Sequence, residues 1–210
     1  MQQLFSSIIL IVLSLFHIPV QANGSAPRVL ILGDSLSAAY NIPIEKSWPS
    51  LFTSNMRTLY PDSSVNNASI SGETTFGGLQ RLPDLLERVK PSHLIIELGG
   101  NDGLRGLKFQ QTTENLNQMV DMALEKKIEV LLIGVDLPPN LGPVYNRRFQ
   151  QIFETVATKH EIAYLPRFLE GVAANDEKYM QADGIHPTAL AQPILAEKIV
   201  TAVLAMLGEN

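Results

Sequence analysis

Two kinds of hydrophobic run alternate along the chain. Apolar stretches at residues 29–32, 94–98 and 130–135, interrupted only by Glu97 and Gly134, show no alternating polar face, the pattern of strands covered on both sides. Shorter runs at Ser64–Asn67 and Ala163–Leu165 read as two further strands. Between the strands, apolar positions fall at i, i+3 and i+4. Trp48, Leu51, Phe52, Met56 and Leu59 mark one helix, with Pro49 suited to its first turn. Leu79, Leu82, Leu85, Leu86 and Val89 mark a second, and Leu116, Met119, Val120, Ala123 and Leu124 a third. Phe149, Ile152, Phe153 and Val156 mark a fourth. A last helix is expected over residues 188–207, bent at Pro193. Strand followed by helix throughout predicts one α/β domain, a parallel sheet with helices on both faces. No internal repeat, low-complexity tract or linker divides it.

In an open sheet of this kind, the site lies outside the carboxyl ends of the strands. The segments that follow the first four strands are "GDSLS" (33–37), "ASISGET" (68–74), "GGNDGLRG" (99–106) and "DLPPNLGP" (136–143). The first three bring small and polar groups to one rim. Ser35 becomes a nucleophile only beside a base. Of the four histidines, His17 lies in the N-terminal apolar segment. His93 opens a strand and His160 closes a helix, both at the opposite edge of the sheet. His186, in "ADGIHPTAL", leads into the last helix and remains as the base. Asp183 stands three residues before it, on the same side of a turn, where a carboxylate would orient the imidazole. The same D-x-x-H spacing also describes an aspartate capping a helix.

Acyl transfer needs donors for an oxyanion. Gly72 offers an unobstructed backbone N–H, Asn101 a side-chain amide, and Ser35 its own N–H, expected near a helix N-terminus. Singly, Gly72 and Asn101 read as turn residues. Together on one rim, with one suitably placed histidine, they point to a nucleophilic serine. Asp34 and Asp102 are expected to pin loops by accepting backbone N–H bonds. Asp34, Asp102, Asp183 and His186 lack the second histidine that would favour a metal, so none is expected. In the loops "DGLRGLKF" and "DLPPNLGPVY", Leu107, Leu137, Leu141 and Tyr145 read either as an apolar groove for an acyl chain or as plain surface loops.

Composition narrows the partners. Hydrophobic residues make up 45% of 210 positions and charged ones 18%, enough apolar content for one packed core. The net charge of -5, without a basic run, argues against nucleic acid. Without cysteine there is no thiolate nucleophile and no Cys-based zinc site. The first 22 residues, "MQQLFSSIILIVLSLFHIPVQA", carry no Asp, Glu, Lys or Arg. Their apolar centre at 8–16 is shorter than the roughly 20 residues of a spanning helix. Val20 and Ala22 suit a small-residue cleavage site. We read 1–22 as a secretory signal peptide, with an n-region that lacks Lys and Arg, followed by one domain over 23–210. An uncleaved anchor is the other reading, and both place the body in the periplasm or outside the cell.

The blocks "GDSLS", "NASISGET", "ELGGNDGLRG" and "DGIHP", in this order, resemble the SGNH, or GDSL, hydrolases. Within that family the chain is most similar to the periplasmic thioesterase, lysophospholipase and arylesterase group, from Arg28 to the last helix. The resemblance implies a three-layer α/β/α flavodoxin-like fold with a five-stranded parallel sheet. It implies a triad of Ser35, Asp183 and His186 and an oxyanion hole from Ser35, Gly72 and Asn101. The implied activity is hydrolysis of small-molecule acyl esters and thioesters through an acyl-enzyme at Ser35. No cofactor, metal or stable protein partner is implied. Deacetylation of carbohydrate by the same triad and a non-enzymatic extracellular binding module are the alternatives.

Overall fold

A computed structural model describes residues 26–172 and 178–208 of the chain. The leader segment read at 1–22 lies outside the described residues. The elements run β1 (Arg28–Gly33), α1 (Trp48–Leu59), β2 (Ser64–Asn67), α2 (Thr75–Val89), β3 (His93–Glu97) and α3 (Gly100–Leu104). They continue α4 (Phe109–Glu125), β4 (Glu129–Ile133), α5 (Pro143–His160), β5 (Ala163–Leu165) and α6 (Gln192–Met206). All five strands are parallel, in the order β2-β1-β3-β4-β5. This is the expected α/β architecture.

The order explains both the layers and the place of the site. The chain steps from β1 outward to β2, then crosses back to β3 and proceeds the other way. Right-handed crossovers therefore put α1 on one face and α2, α4 and α5 on the other. Accordingly α1 packs on α6, while α2 packs on α4 and α4 on α5. The reversal opens a crevice between the carboxyl ends of β1 and β3, the switch point where ligands enter sheets of this order. The central strands β1, β3 and β4 are buried almost throughout, as their largely apolar runs require. At the edges, β2 is mostly exposed and polar, and β5 is half-buried.

Two details differ from the sequence reading. The last helix begins at Gln192, and Pro193 sits in its first turn. Proline lacks only an N–H that has no helical partner there, so it starts the helix rather than bending it. Gln192 is buried, and its side-chain oxygen accepts the Trp48 N–H at 2.9 Å, which satisfies one orphan donor at the start of α1. Trp48 in turn donates its indole N–H to the Leu36 carbonyl at 3.1 Å and meets Phe168 edge-on. The core of the α1–α6 layer is thus tied to the turn that follows β1.

Candidate active site

The turn after β1 is compact. The Asp34 carbonyl accepts the N–H groups of Ser37 (3.2 Å) and Ala38 (2.9 Å), and Asp34 Oδ1 accepts the Leu36 N–H at 3.0 Å. Ser35 is thereby presented at the crevice. No helix follows at once, since α1 begins only at Trp48, so the expected helix N-terminus beside the Ser35 N–H is instead a hydrogen-bonded turn.

His186 arrives from the far end of the chain. Its Nε2 lies 2.8 Å from Ser35 Oγ, and its Nδ1 lies 2.7 Å from Asp183 Oδ2. Asp183 Oδ1 also accepts the N–H groups of Ile185 (2.9 Å) and His186 (3.0 Å), so the carboxylate fixes its own loop as well as the ring. Partial burial works against ionisation here. The His186 N–H, the His186 ring and the Ile185 N–H nevertheless hold the Asp183 carboxyl below the usual carboxylate range. The Tyr40 ring packs on the imidazole with centroids 4.2 Å apart. Gln181 ties this loop down by donating its side-chain amide to the Tyr40 and Pro187 carbonyls.

Gly72 has φ +79°, a conformation that favours glycine, and its carbonyl accepts a bond from Arg105 Nη2 at 2.9 Å. Asn101 falls in α3, a short helix where the sequence suggested only a loop. Its amide donates to Asp34 Oδ2 at 3.0 Å, which orients the side chain and leaves a second amide hydrogen for a ligand. Ser35, Gly72, Asn101 and His186 all line one cavity of about 670 Å³.

A serine, a histidine and an aspartate joined in this order, beside a glycine N–H and an asparagine amide, are a serine-hydrolase constellation. The GDSL-like Lipase/Acylhydrolase family profile matches residues 31–192. The chain belongs to this family. Esterase TesA of Pseudomonas aeruginosa is 45% identical over 83% of this chain and 87% of its own length. The Escherichia coli protein named thioesterase 1, protease 1 and lysophospholipase L1 is 43% identical over 82% of this chain and 81% of its own. Among solved structures, the psychrotrophic esterase EstA from Pseudoalteromonas sp., inhibited by monoethylphosphonate, superposes with a TM-score of 0.82. It is 35% identical and covers 87% of this chain and all of its own.

Beneath the GDSL motif lies a feature that the sequence reading missed. Glu97, the last residue of β3, is fully buried, and its Oε2 accepts the Ser37 hydroxyl at 2.6 Å and the Asp34 N–H at 3.4 Å. Its other carboxyl oxygen, Oε1, has no hydrogen-bond partner among the described residues. Burial, reinforced by the nearby Asp34 carboxylate, pushes the Glu97 carboxyl well above the ordinary range. Burial also raises Asp34 to about 6, against the pull of the Leu36 N–H and the Asn101 amide. Asp102 acts as expected at a loop junction, accepting the Thr75 N–H at 2.9 Å where α2 begins.

The expected groove residues divide. Leu137 is buried and lines the main cavity. Leu107, Leu141 and Tyr145 instead line a second, more open cavity of about 780 Å³, and the Tyr145 hydroxyl is occupied by the Gly103 carbonyl at 2.8 Å. One side of the main cavity carries charge, from Asp136, Arg147, Arg167 and Glu170. Among the described residues no group of metal-ligating side chains forms.

The raised Glu97 carboxyl predicts a pH-dependent stability. Below the carboxyl's unfolded value, both states hold the proton and nothing is lost. As pH rises past it, the unfolded chain releases the proton before the folded one, and stability falls by up to about 1.4 kcal/mol per pH unit. Glu97→Gln removes that dependence. Urea unfolding at pH 5 and pH 8 should show the variant gaining on the parent as pH rises; a constant difference would contradict this role.

Proposed function

We propose that the protein is a serine esterase and thioesterase that works through an acyl-enzyme at Ser35. The observation that carries this reading is the continuous hydrogen-bonded line from Ser35 Oγ through His186 to Asp183. His186 Nε2 takes the Ser35 proton as Oγ attacks the acyl carbon. The carbonyl electrons move onto oxygen, and the oxyanion is held by the N–H groups of Ser35 and Gly72 and the amide of Asn101. Asp183 keeps the ring in the tautomer that accepts at Nε2 and stabilises the imidazolium. As the tetrahedral species collapses, the alcohol or thiol leaves with the proton from His186. Water, deprotonated by the same ring, then releases the carboxylic acid and restores Ser35.

The names of the relatives, esterase and thioesterase with lysophospholipase, support acyl esters and thioesters as the substrate class. So does the phosphonate inhibition of the EstA neighbour, since a phosphonyl group reacts with an activated serine. A cavity of about 670 Å³ is far larger than an acetyl group needs, which favours longer acyl substrates. The acyl chain would run past Leu104 and Leu137 towards Leu107 and Leu141. We further propose that residues 1–22 direct the protein to the periplasm or medium and are removed, leaving 23–210 as the hydrolase domain.

Ser35→Ala should abolish hydrolysis of an octanoyl ester while leaving circular dichroism unchanged; near-normal turnover would refute the mechanism. Asn101→Ala should lower kcat by on the order of a hundredfold, as loss of an oxyanion donor does. N-terminal sequencing of the protein recovered from outside the cytoplasm should begin at Asn23, and an intact Met1 would leave the leader as an anchor.

A further inference from the structure

The main cavity has two chemically different ends. Around Leu104, Leu137 and Pro138 its wall is apolar. At the carboxyl ends of β4 and β5 it is charged, with Asp136, Arg147, Arg167 and Glu170 on the wall beside the neutral amide of Gln150. An acyl chain gains nothing from displacing water around ions, so the charged end suits the polar half of an acyl ester.

The charges there are not balanced one against one. Asp136 accepts Gln150 Nε2 at 2.7 Å and lies 3.6 Å from Arg167 Nε. Glu170 lies 3.0 Å from Arg167 Nη1. Both carboxylates are therefore spoken for by Arg167, and Lys198, which donates to the Phe168 carbonyl at 3.0 Å, adds a second cation behind Glu170. Arg147 is different. It stands one turn before Gln150 on the same side of α5, it is exposed, and among the described residues it has no hydrogen bond or ion pair. On this wall two guanidiniums meet two carboxylates, but Arg167 engages both carboxylates. The group left without a counter-ion is a guanidinium, whose planar fork fits the oxygens of a phosphate.

Resting on the hydrolase reading above, we propose that this crevice receives the leaving-group half of the substrate, with Arg147 selecting leaving groups that carry a phosphate. Arg167, pinned between Asp136 and Glu170, forms the wall beside it. The phosphate could belong to a glycerophosphate headgroup or to coenzyme A, and the chemistry recognised is the same.

The test compares KM for three substrates with one octanoyl chain: the neutral glycerol ester, the glycerophosphate ester and the coenzyme A thioester. In Arg147→Gln the ratio of KM for a phosphate-bearing substrate to KM for the glycerol ester should rise about tenfold, the scale of one charge-assisted contact. Arg147→Lys, which keeps the charge, should recover much of that ratio. A rise confined to the glycerophosphate ester identifies the lipid headgroup as the source, and one confined to the thioester identifies coenzyme A. A ratio unchanged for both, or an equal KM change on all three substrates, overturns the proposal. Absence of turnover on all three by the unaltered protein would instead refute the hydrolase reading itself.

Discussion

The junction of β1 and β3 constrains the whole candidate site. Gly33 pairs with Glu97 at the carboxyl ends of the two strands, where the direction of chain winding reverses. From there one buried carboxyl holds the Asp34 N–H and the Ser37 hydroxyl, and Asp34 in turn holds the Leu36 N–H and the Asn101 amide. The turn carrying Ser35 and the short helix carrying Asn101 are therefore anchored on the same pair of acids. Two carboxyls this close and this far from water resist ionising together, so the anchor is sensitive to pH even though neither acid needs to touch a substrate. Gly33 belongs to the same constraint. A Cβ there would lie 2.7 Å from Ser37 Oγ and 2.8 Å from Ser69 Oγ, so close approach, more than freedom to turn, demands glycine.

Much of this was legible in the sequence because the signals were local. The central strands announced themselves as largely apolar runs, and their edge neighbours as short or polar ones. Once a parallel sheet was expected, the segments "GDSLS", "SISGE" and "GGND" after its strands fell on one rim, and exclusion of three histidines left His186. What stayed hidden depends on contacts distant in the chain. Nothing about the Glu in "IIELGG" distinguishes a fully buried anchor from an ordinary strand-end residue; its role comes from Ser37, 60 positions away. The helix around Asn101 is five residues long and glycine-rich, too short and too unfavourable in propensity for periodicity to reveal. Of the four groove candidates, Leu137 lines the main cavity while Leu107, Leu141 and Tyr145 line the second, a division that the loop sequences alone do not show.

The candidate site combines a hydrogen-bonded centre with a chemically divided cavity. The centre is held by hydrogen bonds from several directions: Asp183 through two backbone N–H groups, Asn101 through Asp34, and Gly72 through Arg105. In the mechanism proposed above, such preorganisation would let the donors meet developing charge without reorganising. The cavity beyond it is less uniform, apolar near Leu137 and charged near Arg167. That division matches the two halves of an acyl ester with a polar leaving group.

The central claim is that His186 activates Ser35 for attack on an acyl-like electrophile. The most direct measurement is covalent labelling by a fluorophosphonate, with the modified peptide located by mass spectrometry. The account predicts a single adduct on the peptide containing Ser35, and a labelling rate that collapses in His186→Ala. An adduct elsewhere, or a rate at Ser35 that does not depend on His186, would contradict it.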